Sequence, residues 1–133
     1  LGDVYKRQEL KGLVNPLLFK ETKYNDPLDV AKDMTSKLKF EKGCDLIICI
    51  SHLGHQYQID KISDTKLAKL TSNIDLIIGG HTHTLLKEPL ILNNSLGKEV
   101  IINQVGSSGV FVGRIDFKFT NNYILSDKSL VEV

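Results

Sequence analysis

Four histidines stand just past two apolar runs, "DLIICISHLGH" from Asp45 to His55 and "DLIIGGHTHT" from Asp75 to Thr84. Neutral imidazole is the commonest metal ligand in proteins. Converging imidazoles suit zinc, manganese or iron and disfavour calcium. A lone histidine after a strand is ordinarily a surface or hydrogen-bonded residue. His81 and His83 instead form a His-x-His pair behind Gly79-Gly80, and His52 follows the other run at an equivalent place. That is the pattern of a shared metal site, with His52, His81 and His83 as ligands. Their ring nitrogens are then expected within roughly 3–7 Å of one another. His55 follows a glycine turn and fits solvent, so it is left outside the cluster.

Other chemistries fit less well. Ser51 beside His52 is not a nucleophile–base pair by adjacency alone, and no nucleophile elbow surrounds it. Gly106, Gly109 and Gly113 follow no parallel strand and open no helix, which argues against a phosphate loop. They fit turns and close strand packing.

The histidines need elements that bring them to one place. Asp26 suits a helix N-cap, Pro27 the first helical position and Asp29 the first turn. Ala31, Met34 and Leu38 recur at helical spacing, and Gly43 ends the helix. Leu46 to Ile50 reads as a strand buried on both faces. Ser63 or Asp64 caps a second helix with Leu67, Ala68 and Leu70 inward, ending near Asn73. Leu76 to Ile78 reads as a second buried strand. Strand, helix and strand within roughly thirty residues make a parallel βαβ unit. In open α/β sheets ligands bind beyond the carboxyl ends of the strands, where these histidines lie. Gly79-Gly80 lets the backbone approach closely and bend.

After Pro89 the pattern becomes antiparallel. "PLILNN" and "KEVIINQV" flank "SLG" as a hairpin. Gly106 to Gly109 is a turn. From Phe111 to Phe119 apolar and polar residues alternate as in a half-buried strand. Asn121-Asn122 makes another turn before a last strand, "YILSDKSLVEV". The segment 9–25, with "LVNPLLF" around Pro16, fits a loop or edge. The fold class is therefore α/β, with an α+β part after residue 89.

Composition agrees with a folded domain. The 133 residues are 41% hydrophobic and 25% charged, enough apolar material for a core. A net charge of +1 gives no electrostatic case for nucleic acid or an anionic membrane. The longest strictly apolar run, Leu46 to Ile50, is far too short for a membrane span. No stretch has the pattern of a secretory signal. Cys44 and Cys49 fall on opposite faces of one predicted strand, so they read as unpaired buried residues.

The blocks "CDLIICISHLGH", "NIDLIIGGHTHT" and "GKEVIINQVGSSGVFVGRIDFKF" resemble successive blocks of the calcineurin-like metallophosphoesterases, in their 5′-nucleotidase and UDP-sugar hydrolase branch. The resemblance runs over residues 9–120. It implies part of a four-layer α/β/β/α sandwich. It also implies two divalent metal ions (manganese, zinc, iron or similar) and a small phosphate ester, a nucleotide, as substrate. The family hydrolyses such esters by in-line attack of a metal-bridging hydroxide. By motif, His52 and His81 resemble ligands of one metal and His83 a ligand of the other. The resemblance also implies a periplasmic or cell-surface location. The family's Asp-x-His, bridging Asp and Asn-His pair have no counterpart in the sequence. The chain is therefore expected to be the C-terminal part of a catalytic domain, holding at most one ion weakly and inactive alone. A non-catalytic metal-binding or interaction module, and a β-rich structural domain with incidental histidines, are the competing readings.

Residues 1–8, "LGDVYKRQ", match residue for residue the translated end of a transposon adapter used in DNA library preparation. They are set apart from the domain at 9–133, whose natural protein would begin upstream of Glu9. Deleting them is expected to leave the thermal midpoint unchanged. A drop of several degrees would mean that Val4 or Tyr5 is buried.

Overall fold

The structure is a computed structural model that describes Asn15, Leu17, residues 23–119 and the backbone of residues 124–132. Residues 1–8, most of 9–22 and the expected turn at Asn121-Asn122 lie outside the described residues. Leu17 is helical where the sequence suggests a loop, and Asn15 Oδ1 accepts its N–H at 3.0 Å.

Helix α1 (Pro27–Ser36) begins as its residue types require. The Asp26 carboxylate accepts from the Leu28 and Asp29 amides at 2.8 and 3.3 Å. Ala31, Met34 and Leu38 are half-buried along one face, with Thr35 buried between them. The helix runs on into a π turn (Lys37–Glu41), which the periodicity does not reveal. Gly43 then takes a φ of 67°, a conformation that glycine adopts without steric cost.

Two short parallel strands and a helix form the expected βαβ unit: β1 (Ile48–Ile50), α2 (Asp64–Leu70) and β2 (Leu76–Ile78). Ser63 caps α2 through the Lys66 amide, and the helix ends at Leu70, sooner than the sequence suggests. Leu67 and Ala68 are buried, but Leu70 is 46% exposed and not inward.

β3 (Leu90–Asn93) and β4 (Glu99–Asn103) form the expected hairpin around Gly97. Its turn is held by Asn94, whose side-chain oxygen accepts from Leu96 and Lys98 at 2.9 and 3.0 Å. The hairpin does not start a separate antiparallel layer. β4 pairs parallel with β2, giving one mixed sheet in the order β1-β2-β4-β3. A long strand, β5 (Phe111–Phe119), and β6 (Ile124–Glu132) make a second, two-stranded antiparallel sheet. Phe111, Ile115 and Phe117 are half-buried on it, while Phe119 is 57% exposed, so the expected alternation fades toward its end.

The core lies where α2 meets the mixed sheet. Leu67, Ala68, Ile74, Ile77, Val100 and Ile102 pack together there. Burying a large aliphatic side chain contributes roughly 1.5–3 kcal/mol. The strands are not buried on both faces. Ile48, Ile50 and Ile78, alternating with buried or half-buried neighbours, are 45–46% exposed. Ile48 and Ile78 look onto a groove that Ile115 and Phe117 of β5 also line. β1 is the edge of its sheet among the described residues, so it has a partner on one side only. Cys44 precedes β1 and Cys49 lies in it; both are free and half-buried. Burial and the nearby Asp64 carboxylate push the Cys49 thiol up to about 11, so it stays protonated at neutral pH.

Candidate metal centre

Three adjacent strands, β1, β2 and β4, run parallel, so their carboxyl ends open at one sheet edge. The ladder extends slightly past each strand. The Ser51 amide donates to the Ile78 carbonyl, and the Gly79 amide to the Asn103 carbonyl, each at 2.8 Å. Beyond that rung come His52 from β1, His81 and His83 from β2, and Gln104 from β4. Parallel register thus delivers residues far apart in sequence to one place.

His52 and His81 meet there. Their ring centroids lie 5.2 Å apart, edge to face at 67°. Both rings are half-buried. His83 follows on the same turn and is exposed. Among the described residues no group of three or more His, Cys, Asp or Glu is arranged to hold a metal ion. Two imidazoles at this spacing are borderline donors that fit a zinc-like cation and fill half of a four-coordinate site.

Gly79-Gly80 serves close approach. A Cβ at Gly79 would land on the Asp64 carboxylate, and one at Gly80 would stand 3.1 Å from His52 Nδ1. The chain bends elsewhere than expected. His81 and His83 themselves take the left-handed region, with φ of 73° and 52°. A non-glycine residue there costs of order 1 kcal/mol and persists where its surroundings hold it.

Those surroundings are a polar network that sequence reading misses. Gln104, 2% exposed, donates from Nε2 to the Gly80 carbonyl at 2.6 Å. Its Oε1 accepts from the Thr82 hydroxyl at 3.0 Å and the Thr84 amide at 2.5 Å. Thr82 Oγ1 also accepts the His55 amide at 3.0 Å, which ties the two histidine loops together. His55 therefore contributes through its backbone. Its ring is held below the usual imidazole range by burial, and its buried Nδ1 has no hydrogen-bond partner among the described residues.

Asp64 braces the other loop. It is fully buried, and its Oδ1 accepts from the Ser51 hydroxyl, which in turn accepts the Leu53 amide at 3.1 Å. The first amides of α2 close the same loop, Asp64 N to Gly54 O at 2.8 Å and Thr65 N to His55 O at 3.2 Å. The sequence suggests Asp64 only as a possible helix cap. Its packing against Gly79 and Ser51 depends on the parallel register, which no local pattern shows.

No protein-family model matches the chain. It is 35% identical over 111 residues to the trifunctional nucleotide phosphoesterase protein YfkN of Bacillus subtilis (strain 168), covering 83% of this chain and 7% of that protein. It is 28% identical over 127 residues to a 5′-nucleotidase of Vibrio parahaemolyticus, covering 82% of this chain and 23% of the relative. The crystal structure of a 5′-nucleotidase precursor from Thermus thermophilus superposes with a TM-score of 0.70 at 28% identity, over 81% of this chain and 23% of that one. The mixed sheet with its helices is thus part of a metallophosphoesterase-type α/β fold. Within that class the chain is similar, over about 80% of its length, to proteins of the 5′-nucleotidase branch. It spans less than a quarter of the length of each of these three proteins.

Burial raises the Asp64 carboxyl from 3.8 to about 6, against the opposing Ser51 hydrogen bond. The folded state then holds this proton more tightly than the unfolded chain. Its contribution to stability is full below pH 3.8 and is lost as the pH rises to about 6, on the order of 3 kcal/mol at most. Asp64→Asn removes the titration. The stability difference between wild type and Asp64→Asn, followed by urea unfolding, is expected to shift against wild type across that window and level off above it. A pH-independent difference would contradict the assignment.

Proposed function

We propose that residues 9–133 are the C-terminal part of the catalytic domain of a divalent-metal-dependent nucleotide phosphoesterase. The meeting of His52 and His81 across neighbouring parallel strands carries this reading. The relatives' names, nucleotide phosphoesterase and 5′-nucleotidase, support the substrate class: a nucleotide or similar small phosphate ester.

In this reading His52 and His81 hold one cation and His83 ligates a second, supplied with further ligands by the rest of the protein. Zinc, manganese or iron, when bound, supplies Lewis acidity toward water and phosphate oxygens. His52 and His81 fix where a cation stands relative to the sheet edge. The threonine-rich turn holds the backbone from which the His81 and His83 rings project. Residues 1–8 take no part. The location of the whole protein, by family resemblance, is the periplasm or cell surface. No described helix is long and apolar enough to cross a membrane.

Imidazoles alone do not offset the charge of two divalent ions, which acidic ligands must do. This chain by itself therefore binds at most one ion, weakly, and does not turn over. The test is hydrolysis of p-nitrophenyl phosphate and of 5′-AMP with added manganese or zinc. No turnover is expected from the purified chain, and activity is expected when the longer protein that contains it is used. Turnover by the isolated chain that disappears in His81→Ala would overturn the division of ligands. An inactive longer protein that still binds metal would favour a non-catalytic metal-binding module.

A further inference from the structure

Gln104 touches the residues that alternate with the two histidines: Gly80 before His81, Thr82 between the pair and Thr84 after His83. Both ends of the amide are engaged. The NH2 group gives one bond to a carbonyl, and the oxygen takes two, one from a hydroxyl and one from a backbone amide. Thr82 is saturated as well. It donates to Gln104 and accepts from the His55 amide and the Thr84 hydroxyl, the latter at 3.0 Å. The donor and acceptor ends of the amide are thereby fixed, so a carboxylate of the same shape cannot replace it. It would set a negative oxygen against the Gly80 carbonyl. Gln104 is also buried and stands directly at the end of a strand, which gives the turn a rigid anchor.

We propose that Gln104 is the positioning residue of the histidine turn. Its amide holds Gly80, Thr82 and Thr84 inward, and so holds His81 and His83 in the left-handed backbone that turns them the other way, His81 toward His52. The cation-binding arm of this inference rests on the proposed metal function; the geometric arm does not.

The test uses the 133-residue chain as wild type, Gln104→Glu and Gln104→Met. Three quantities are read: the apo thermal midpoint, Co2+ affinity, and the nuclear Overhauser contact between the His52 and His81 rings in the apo state. Loss of a group that orients metal ligands typically weakens metal binding about 10–100-fold. Both variants are expected to stay folded, to lose the ring–ring contact and to bind Co2+ at least about tenfold more weakly. If either variant does not fold, Thr82→Val removes one hydroxyl of the network at a half-buried position, and the same losses are expected in smaller measure. Variants that keep the ring contact overturn the proposal, and so does wild-type Co2+ affinity in a folded variant. Should wild type bind no Co2+, the metal reading fails, and the ring contact alone decides the role of Gln104.

Discussion

Ile77 is fully buried at the middle of β2, in register with Cys49 on one side and Ile102 on the other, and both neighbours run parallel to it. The rest of the structure depends on that arrangement. Strands this short hold few ladder hydrogen bonds, so their alignment comes from packing. Leu67 and Ala68 of α2 press on Ile77, Val100 and Ile102 and fix which face points inward. A slip of one residue would exchange Ile77 for the half-exposed Ile78 and turn the aliphatic core outward. With the register fixed, the chain leaves β1, β2 and β4 at one edge, and the histidines come within reach of each other.

The edge itself is polar and buried, which is costly unless every group is paired. Gln104 and Thr82 meet that requirement through their shared network. Asp64 does so only in part, because its Oδ2 has no partner among the described residues. An unpaired carboxylate oxygen under Gly79 explains why burial holds this group toward its neutral form near pH 6. The two braces act on different loops. Asp64 and Ser51 hold the turn that carries His52, and Gln104 holds the turn that carries His81 and His83. The His55 amide on Thr82 links them.

Much of this was legible in the sequence because it is local. Asp26 and Pro27 mark the start of α1, Gly43 the end of the π turn that continues it, and the spacing of the two apolar runs marks a βαβ unit. The two "DLII" runs do lie side by side as parallel strands, yet their aspartates differ. Asp75 accepts the Ile47 amide at 2.7 Å, while Asp45 is exposed. What could not be read is nonlocal. The hairpin of β3 and β4 signals antiparallel pairing strongly, and nothing in "KEVIINQ" signals that β4 also joins β2 in parallel. Gln104 was hidden with that pairing, because it stands one residue past β4 just as the histidines stand past β1 and β2. The open face of Ile48, Ile50 and Ile78 was likewise hidden, because an apolar run looks the same in an edge strand and in a central one.

In the proposed function His52 and His81 act as one ligating pair. Long-range nitrogen–proton correlation spectra of the histidine side chains, recorded during a Zn2+ titration of the chain, test it most directly. The His52 and His81 imidazole signals are expected to move together along a single binding curve, and His81→Ala to abolish the response of His52. A His52 signal that stays fixed while His81 titrates, or that still responds in His81→Ala with unchanged midpoint, would contradict it.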